Sequence, residues 1–182
     1  MNSSAEKIVL ASGSPRRAKI LKNLGLEFEV VVPQTEEIHD ETDPVRTVLT
    51  NAETKLAAVK RDGVVVAADT MVIFEGRLLG KPQDLDEAIC YLRALSGKTH
   101  FVYTGVAFSN GPSRVEVSSV TFRELDEETI REYVGRTCPL DRAGAYDIDE
   151  NGDLLVARYC GSYTNIMGLP EELIRDRFGL SK

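Results

Sequence analysis

The run Val64-Val65-Val66-Ala67-Ala68-Asp69 constrains the fold of this chain more than any other stretch. A strand that wets one face alternates apolar and polar residues; this one is apolar for five positions, so both faces of its sheet must be covered. Helices are the ordinary cover, and the surrounding pattern supplies them. Ile8-Val9-Leu10 opens a short buried strand over 8–12, followed by a helix over 15–24 that Ser14 would cap and Gly25 would close. Phe28 to Val32 reads as a second strand. Asp43-Pro44 starts a helix to about Lys60, with Val45, Val48, Leu49, Ala52, Leu56 and Val59 predicted on its apolar face. The apolar strand continues from Thr70 to Leu79 around a turn at Glu75-Gly76, and a helix over 85–95 follows. The second half is richer in strands: 101–108, 115–122 and a pair flanking Asn151-Gly152, a strong two-residue hairpin signal. A short helix near 127–134 and a closing helix from Leu169-Pro170 complete the pattern. No repeat divides the chain. The economical fold is one α/β domain over residues 1–182, a mixed twisted sheet flanked by helices; two lobes with a central cleft between them would also fit.

The 182 residues carry a formal net charge of −7, which opposes a broad nucleic-acid surface built on counterion release. An anionic ligand must then be met locally, in one concentrated basic patch. No stretch approaches the roughly 18 apolar residues of a membrane span, and residues 1–7 have no long apolar run, so a cytoplasmic protein without membrane contact is expected. The three cysteines, Cys90, Cys138 and Cys160, form no Cys-x-x-Cys pair and read as reduced, buried small residues.

Leu10-Ala11-Ser12-Gly13-Ser14-Pro15-Arg16-Arg17 is where an anion would sit. A helix start is already partly positive and ordinarily gains from Asp or Glu; here two adjacent arginines are added to it. A phosphate chain would neutralise both. Two arginines solvated on a surface helix would give the same spacing. Asp69 is the first candidate acid, because open α/β sheets place their ligand crevices at the carboxyl ends of strands. After five apolar residues it would hold its charge only beside a cation or a metal; an Asp capping a turn with Thr70 is the structural alternative. Lys81 stands in the tight turn Leu79-Gly80-Lys81-Pro82, and Glu36-Glu37 form an acid pair in the loop after the second strand. Hard cations such as Mg²⁺ accept one or two such carboxylates and complete their shell with water and phosphate. On spacing alone, Lys55 is a solvated helix lysine.

Two tempting matches fail. Ser96-Gly97-Lys98-Thr99 has Leu92 where a P-loop needs its first glycine, and Asp147-Ile148-Asp149-Glu150-Asn151-Gly152 has Arg158 where a calcium loop needs its bidentate acid. The two histidines, His39 and His100, stand near no nucleophile elbow, which leaves triad hydrolysis without support.

Six segments in order resemble the Maf family of nucleotide pyrophosphatases over nearly the whole chain: the 10–17 loop, Ala68-Asp69-Thr70, Gly80-Lys81-Pro82, Leu95-Ser96-Gly97-Lys98-Thr99-His100, Ala143-Gly144-Ala145-Tyr146, and Gly161-Ser162-Tyr163 with Gly168-Leu169-Pro170. The resemblance implies a fold like that of the inosine triphosphate pyrophosphatases, and hydrolysis of nucleoside triphosphates to monophosphate and pyrophosphate with a divalent cation, Mg²⁺ or Mn²⁺. It implies that Ser12, Arg16 and Arg17 contact the triphosphate, that Glu37 and Asp69 serve the metal and the attacking water, and that Lys55 and Lys81 complete the basic lining. Asp69-Thr70 and Ala143-Gly144-Ala145-Tyr146 look like the branch acting on dTTP and UTP, with modified pyrimidine nucleotides the nearest extension. Asp147 and Asp149 stand where that branch carries glycine and glutamine, which puts Asp149 at base recognition. Arg142 replaces its usual lysine. A homodimer is also implied, and so is an alternative role as a non-catalytic nucleotide-binding regulator of septum formation.

Overall fold

Every apolar run predicted as a strand between Ile8 and Phe122 is one in the computed structural model, which describes residues 6–181. The N-terminal stretch up to Ala5, read above as free of a long apolar run, lies outside the described residues. The elements are β1 (Ile8–Ala11), α1 (Pro15–Asn23), β2 (Phe28–Val30), α2 (Pro44–Ala58), β3 (Val64–Phe74), β4 (Arg77–Leu79) and α3 (Leu85–Leu95). They continue with β5 (Thr99–Phe108), β6 (Arg114–Phe122), α4 (Glu127–Thr137), β7 (Val156–Cys160), α5 (Tyr163–Ile166) and α6 (Glu171–Phe178). The sheet runs β2-β1-β3-β5-β6-β7, with β4 paired to the far end of β3. It is mixed, as expected: β1 is parallel to β2 and β3, and the remaining pairs are antiparallel.

Both faces of β3 are covered. Val64, Val66, Ala68 and Val72 join the main core with residues of α1, α3, α4 and α6, including Leu21, Leu92, Ile130 and Ile174. On the opposite face Val65 and Ala67 pack with Val59 and Leu56, and Met71 and Ile73 pack with Val48. Gly105 on β5 lets α2 come this close. A Cβ there would lie 2.4 Å from the Val48 carbonyl oxygen, and Gly105 is the cross-strand partner of Asp69.

Three expectations are corrected. The buried face of α2 is shifted from the predicted one: Val48, Ala52 and Val59 are buried as expected, but Val45 is exposed and Leu49 half-buried, while Thr47, Asn51 and Lys55 are buried as well. Asn151-Gly152 makes no hairpin. Asn151 does adopt the left-handed conformation that favours it, but a 3₁₀ turn over Gly152–Leu154 follows and β7 pairs only with β6. The three cysteines are exposed rather than buried, because Cys138 caps α4, Cys160 ends the edge strand β7 and Cys90 lies on the outer side of α3.

His100 lies at the centre of the core, fully buried, edge-on to Phe122 and Tyr146, with its Nε2 2.8 Å from the Tyr146 hydroxyl. Burial lowers its pKa from 6.5 to about 4. Below 6.5 the unfolded chain therefore takes up a proton that the folded chain refuses, and stability falls by about 3 kcal/mol in total by pH 4. Urea unfolding of the parent and of a His100→Gln variant between pH 7 and 4 checks this; a parent curve no steeper than the variant's would refute it. No helix among the described residues is long and apolar enough to cross a membrane.

Candidate active site

β1 accompanies β3 as far as Ala67, and β4 joins that same edge only at Val72. The cleft opens in the gap. Asp69 was expected at the end of its strand, but β3 runs on to Phe74; what ends beside Asp69 is its parallel neighbour. Because successive strand residues point to opposite faces, Asp69 turns to the α2 side and Thr70 to the α1 side. A cavity of about 440 Å³ wraps this edge and touches both.

On the α2 side, Asp69 is 5% exposed and both its oxygens are held: Oδ1 accepts from Lys55 Nζ at 2.6 Å and Oδ2 from Asn51 Nδ2 at 2.9 Å. The same ammonium lies 2.6 Å from Oε1 of Glu37, which reaches in from the loop after β2. Burial raises the Glu37 pKa, but the Lys55 hydrogen bond and the charges of Lys55, Lys81 and His39 outweigh it, leaving the carboxyl below its ordinary range. Lys55 is thus no solvated lysine. It is a buried cation between two carboxylates, as the acid after five apolar residues required.

On the α1 side, Arg17 organises the wall. Its Nε donates to the Gly168 carbonyl at 2.8 Å, and its two terminal nitrogens donate to Ser12 Oγ at 3.0 Å and Thr70 Oγ1 at 3.2 Å. Burial lowers the Arg17 pKa most, Asp69 and Glu37 oppose this, and Arg16 adds to it. Ser12 Oγ also accepts the backbone N–H of Ser14 at 3.2 Å. Ser14 occupies the cap position of α1, yet its hydroxyl makes no cap bond. Arg16 is held more loosely, 3.4 Å from Asp141 and 3.8 Å from Asp147. Lys81 lines the mouth from a turn whose Gly80 carbonyl accepts the N–H of Gly144, a residue at φ +71°.

The cavity thus gathers Ser12, Arg16, Arg17 and Thr70 on one wall, and Glu37, Lys55, Asp69 and Lys81 on the other. Glu36 and Asp149 are not in its lining. Asp149 lies outside it, its carboxylate on Lys19 and beside the Tyr163 hydroxyl. Asp147 lines the cleft instead, nearly buried and shared by Arg16 and Arg142. Asn51, Asp141 and Asp147 were not singled out as site residues. Asn51 lies one helical turn before Lys55, and that i,i+4 pairing of polar residues is the signal that points to it; Asp147, between Tyr146 and Ile148, needs a cation for the same reason as Asp69. Glu37 and Asp69 present hard carboxylate oxygens, and among the described residues no group of three His, Cys, Asp or Glu gathers. That donor set suits a Mg²⁺-like ion completed by water and phosphate, not a thiolate or imidazole site.

Residues 7–178 match the family described as Maf-like protein. The chain is 41% identical over 172 residues to the dTTP/UTP pyrophosphatase of Thermosipho melanesiensis, covering 93% of this chain and 94% of that one. It is 43% identical to the protein of that name from Carboxydothermus hydrogenoformans, covering 90% and 92%, and 45% identical to that from Deinococcus radiodurans, covering 94% and 91%. Among solved structures, the nucleoside-triphosphatase / dITP/XTP pyrophosphatase of Mycobacterium abscessus aligns with a TM-score of 0.39 at 17% identity, over 65% of this chain and 75% of that one. With residues 7–178 matched and relatives above 40% identity over nine-tenths of its length, the chain belongs to the Maf family.

Proposed function

We propose that this protein is a cytoplasmic nucleoside triphosphate pyrophosphatase, one domain over 1–182, that hydrolyses dTTP and UTP to the monophosphate and pyrophosphate with the help of Mg²⁺ or Mn²⁺. The observation that carries the reading is the facing of two carboxylates, Glu37 and Asp69, across one cleft from an arginine-lined helix start. The names of the relatives, dTTP/UTP pyrophosphatase, support the substrate class.

The triphosphate lies along the α1 wall, where Arg16 exchanges its long contacts with Asp141 and Asp147 for phosphate oxygens. Arg17, already fixed at three points, holds Ser12 and Thr70 in place and offers its remaining N–H groups. Water attacks the α-phosphorus and gives its proton to Asp69; the bond from that phosphorus to the bridging oxygen breaks, and pyrophosphate leaves toward Arg16 and Lys81. Glu37 and Asp69 would hold the divalent cation, which when bound supplies charge neutralisation on the phosphates and a more acidic water. A positioned base supplies about 10²–10⁴-fold, so the larger share falls to preorganised donors, each contributing about 3 kcal/mol. Lys55, Lys81, Arg16 and Arg17 are those donors.

Pyrophosphate release from a panel of standard and modified nucleoside triphosphates tests the proposal. dTTP and UTP are expected to lead the panel. Triphosphate kept intact for hours with Mg²⁺ or Mn²⁺ present would sink it and favour a binding-only regulator. Asp149, two residues beyond the cleft-lining Asp147 and, by the resemblance, at the position of a glutamine, is proposed to tune the base: Asp149→Gln, which also frees Lys19, is expected to reorder the panel without abolishing release, and an unchanged order refutes that role.

A further inference from the structure

Asn51 leaves none of its amide unused. Its Oδ1 accepts the backbone N–H of Ile38 at 2.9 Å, and its Nδ2 donates to the Ile38 carbonyl and to Asp69 Oδ2, each at 2.9 Å. The side chain is 3% exposed. Ile38 follows Glu37 directly, in a segment from Val31 to Asp40 without regular structure, so this one amide ties the backbone that carries one carboxylate to the side chain of the other. The Lys55 bridge makes the same connection, but through two side-chain ends, one of them half-exposed. Thr47, one turn earlier, fastens the next part of the loop by donating to the Asp40 carbonyl at 3.0 Å.

We infer that Asn51 is a positioning residue for the metal-assisted reaction: it sets Glu37 and Asp69 in register as a pair that can share one divalent cation. It touches neither substrate nor cation. An apolar or shorter residue at 51 leaves the Ile38 amide groups and one Asp69 oxygen without partners and lets the Glu37 loop move relative to β3. Outer partners of this kind ordinarily matter by about 10–100-fold in metal affinity or activity.

The inference rests on the pyrophosphatase reading, and two measurements keep the two apart. Mn²⁺ is titrated by electron paramagnetic resonance into the nucleotide-free protein, and kcat and KM for dTTP are measured separately. Asn51→Leu is expected to raise the Kd for Mn²⁺ and lower kcat, each by about 10–100-fold, with KM within about threefold of the parent. Val134→Ala, a truncation in the α4 core, is the control for lost stability; it lowers Tm without weakening Mn²⁺. If Asn51→Leu does not fold, Ile38→Pro removes the N–H from the other side of the clamp, on a residue whose side chain is 47% exposed, and should weaken Mn²⁺ in the same direction. A folded clamp variant that binds Mn²⁺ within about threefold of the parent overturns the inference, as does a parent that takes up no Mn²⁺. A parent that binds Mn²⁺ but releases no pyrophosphate overturns the functional reading instead, and the titration still decides the role of Asn51.

Discussion

Asp69→Asn is expected to slow pyrophosphate release by at least about 10²–10⁴-fold while nucleotide affinity stays within about threefold. The exchange keeps the shape of the side chain and removes its ability to take a proton from water. It also has a structural cost that can be stated in advance. Lys55 and Asn51 both donate to Asp69, and a carboxamide has one acceptor atom, so one of those donors must face an N–H₂ group. Leaving a buried donor so opposed costs about 1–3 kcal/mol, and the variant should melt somewhat below the parent. Calorimetric titration with a non-hydrolysable triphosphate alongside the kinetic assay separates the two effects. Turnover within tenfold of the parent would remove Asp69 from the role of base.

Lys55→Met strikes the same place from the opposite charge. The ammonium is the only cation within hydrogen-bonding distance of Asp69 among the described contacts, and it holds Glu37 as well. Removing one partner of a buried ion pair ordinarily costs about 3–5 kcal/mol, because the other is left without compensation. Activity is expected to fall with stability, since Asp69 and Glu37 would repel each other. The distinguishing result is the response to cations: two carboxylates without an ammonium make a better divalent site, so Mg²⁺ or Mn²⁺ should raise the Tm of the variant by more than that of the parent. Equal shifts in the two proteins would show that Lys55 does not stand between these acids in solution.

The strands were legible because apolar runs are decided by burial, and the sheet buries both faces of β3 from Val64 to Phe74. The arginine turn was legible for a different reason, since two like charges at a helix start contradict the helix's own field. α2 was misread in part: Val48 and Ala52 are buried as read, but the stripe beside them is polar. Periodicity counts apolar residues, and the face that actually turns inward carries Thr47, Asn51 and Lys55, whose burial depends on Asp40, Ile38, Glu37 and Asp69 arriving from other segments. Asn151 adopts the left-handed conformation of a hairpin turn but Gly152 does not, and no strand precedes the pair: residues 147 to 150 are engaged by Arg142, Lys19 and the Tyr133 hydroxyl. The cysteines failed for want of context, as exposure at a helix cap or an edge strand is settled by neighbours far away in sequence.

Arg17 reaches the carbonyl of Gly168 across 151 positions of sequence. Synthesis is vectorial, so when α1 emerges its guanidinium waits through most of translation for that acceptor, and Thr104, which steadies Thr70 at 3.0 Å, arrives only past the midpoint. The α1 wall of the cleft is therefore among the last surfaces of the nascent chain to be completed. A polypeptide halted before residue 168 contains Arg16, Arg17, Lys55 and Lys81 of the cleft and still lacks the backbone oxygen that orients Arg17.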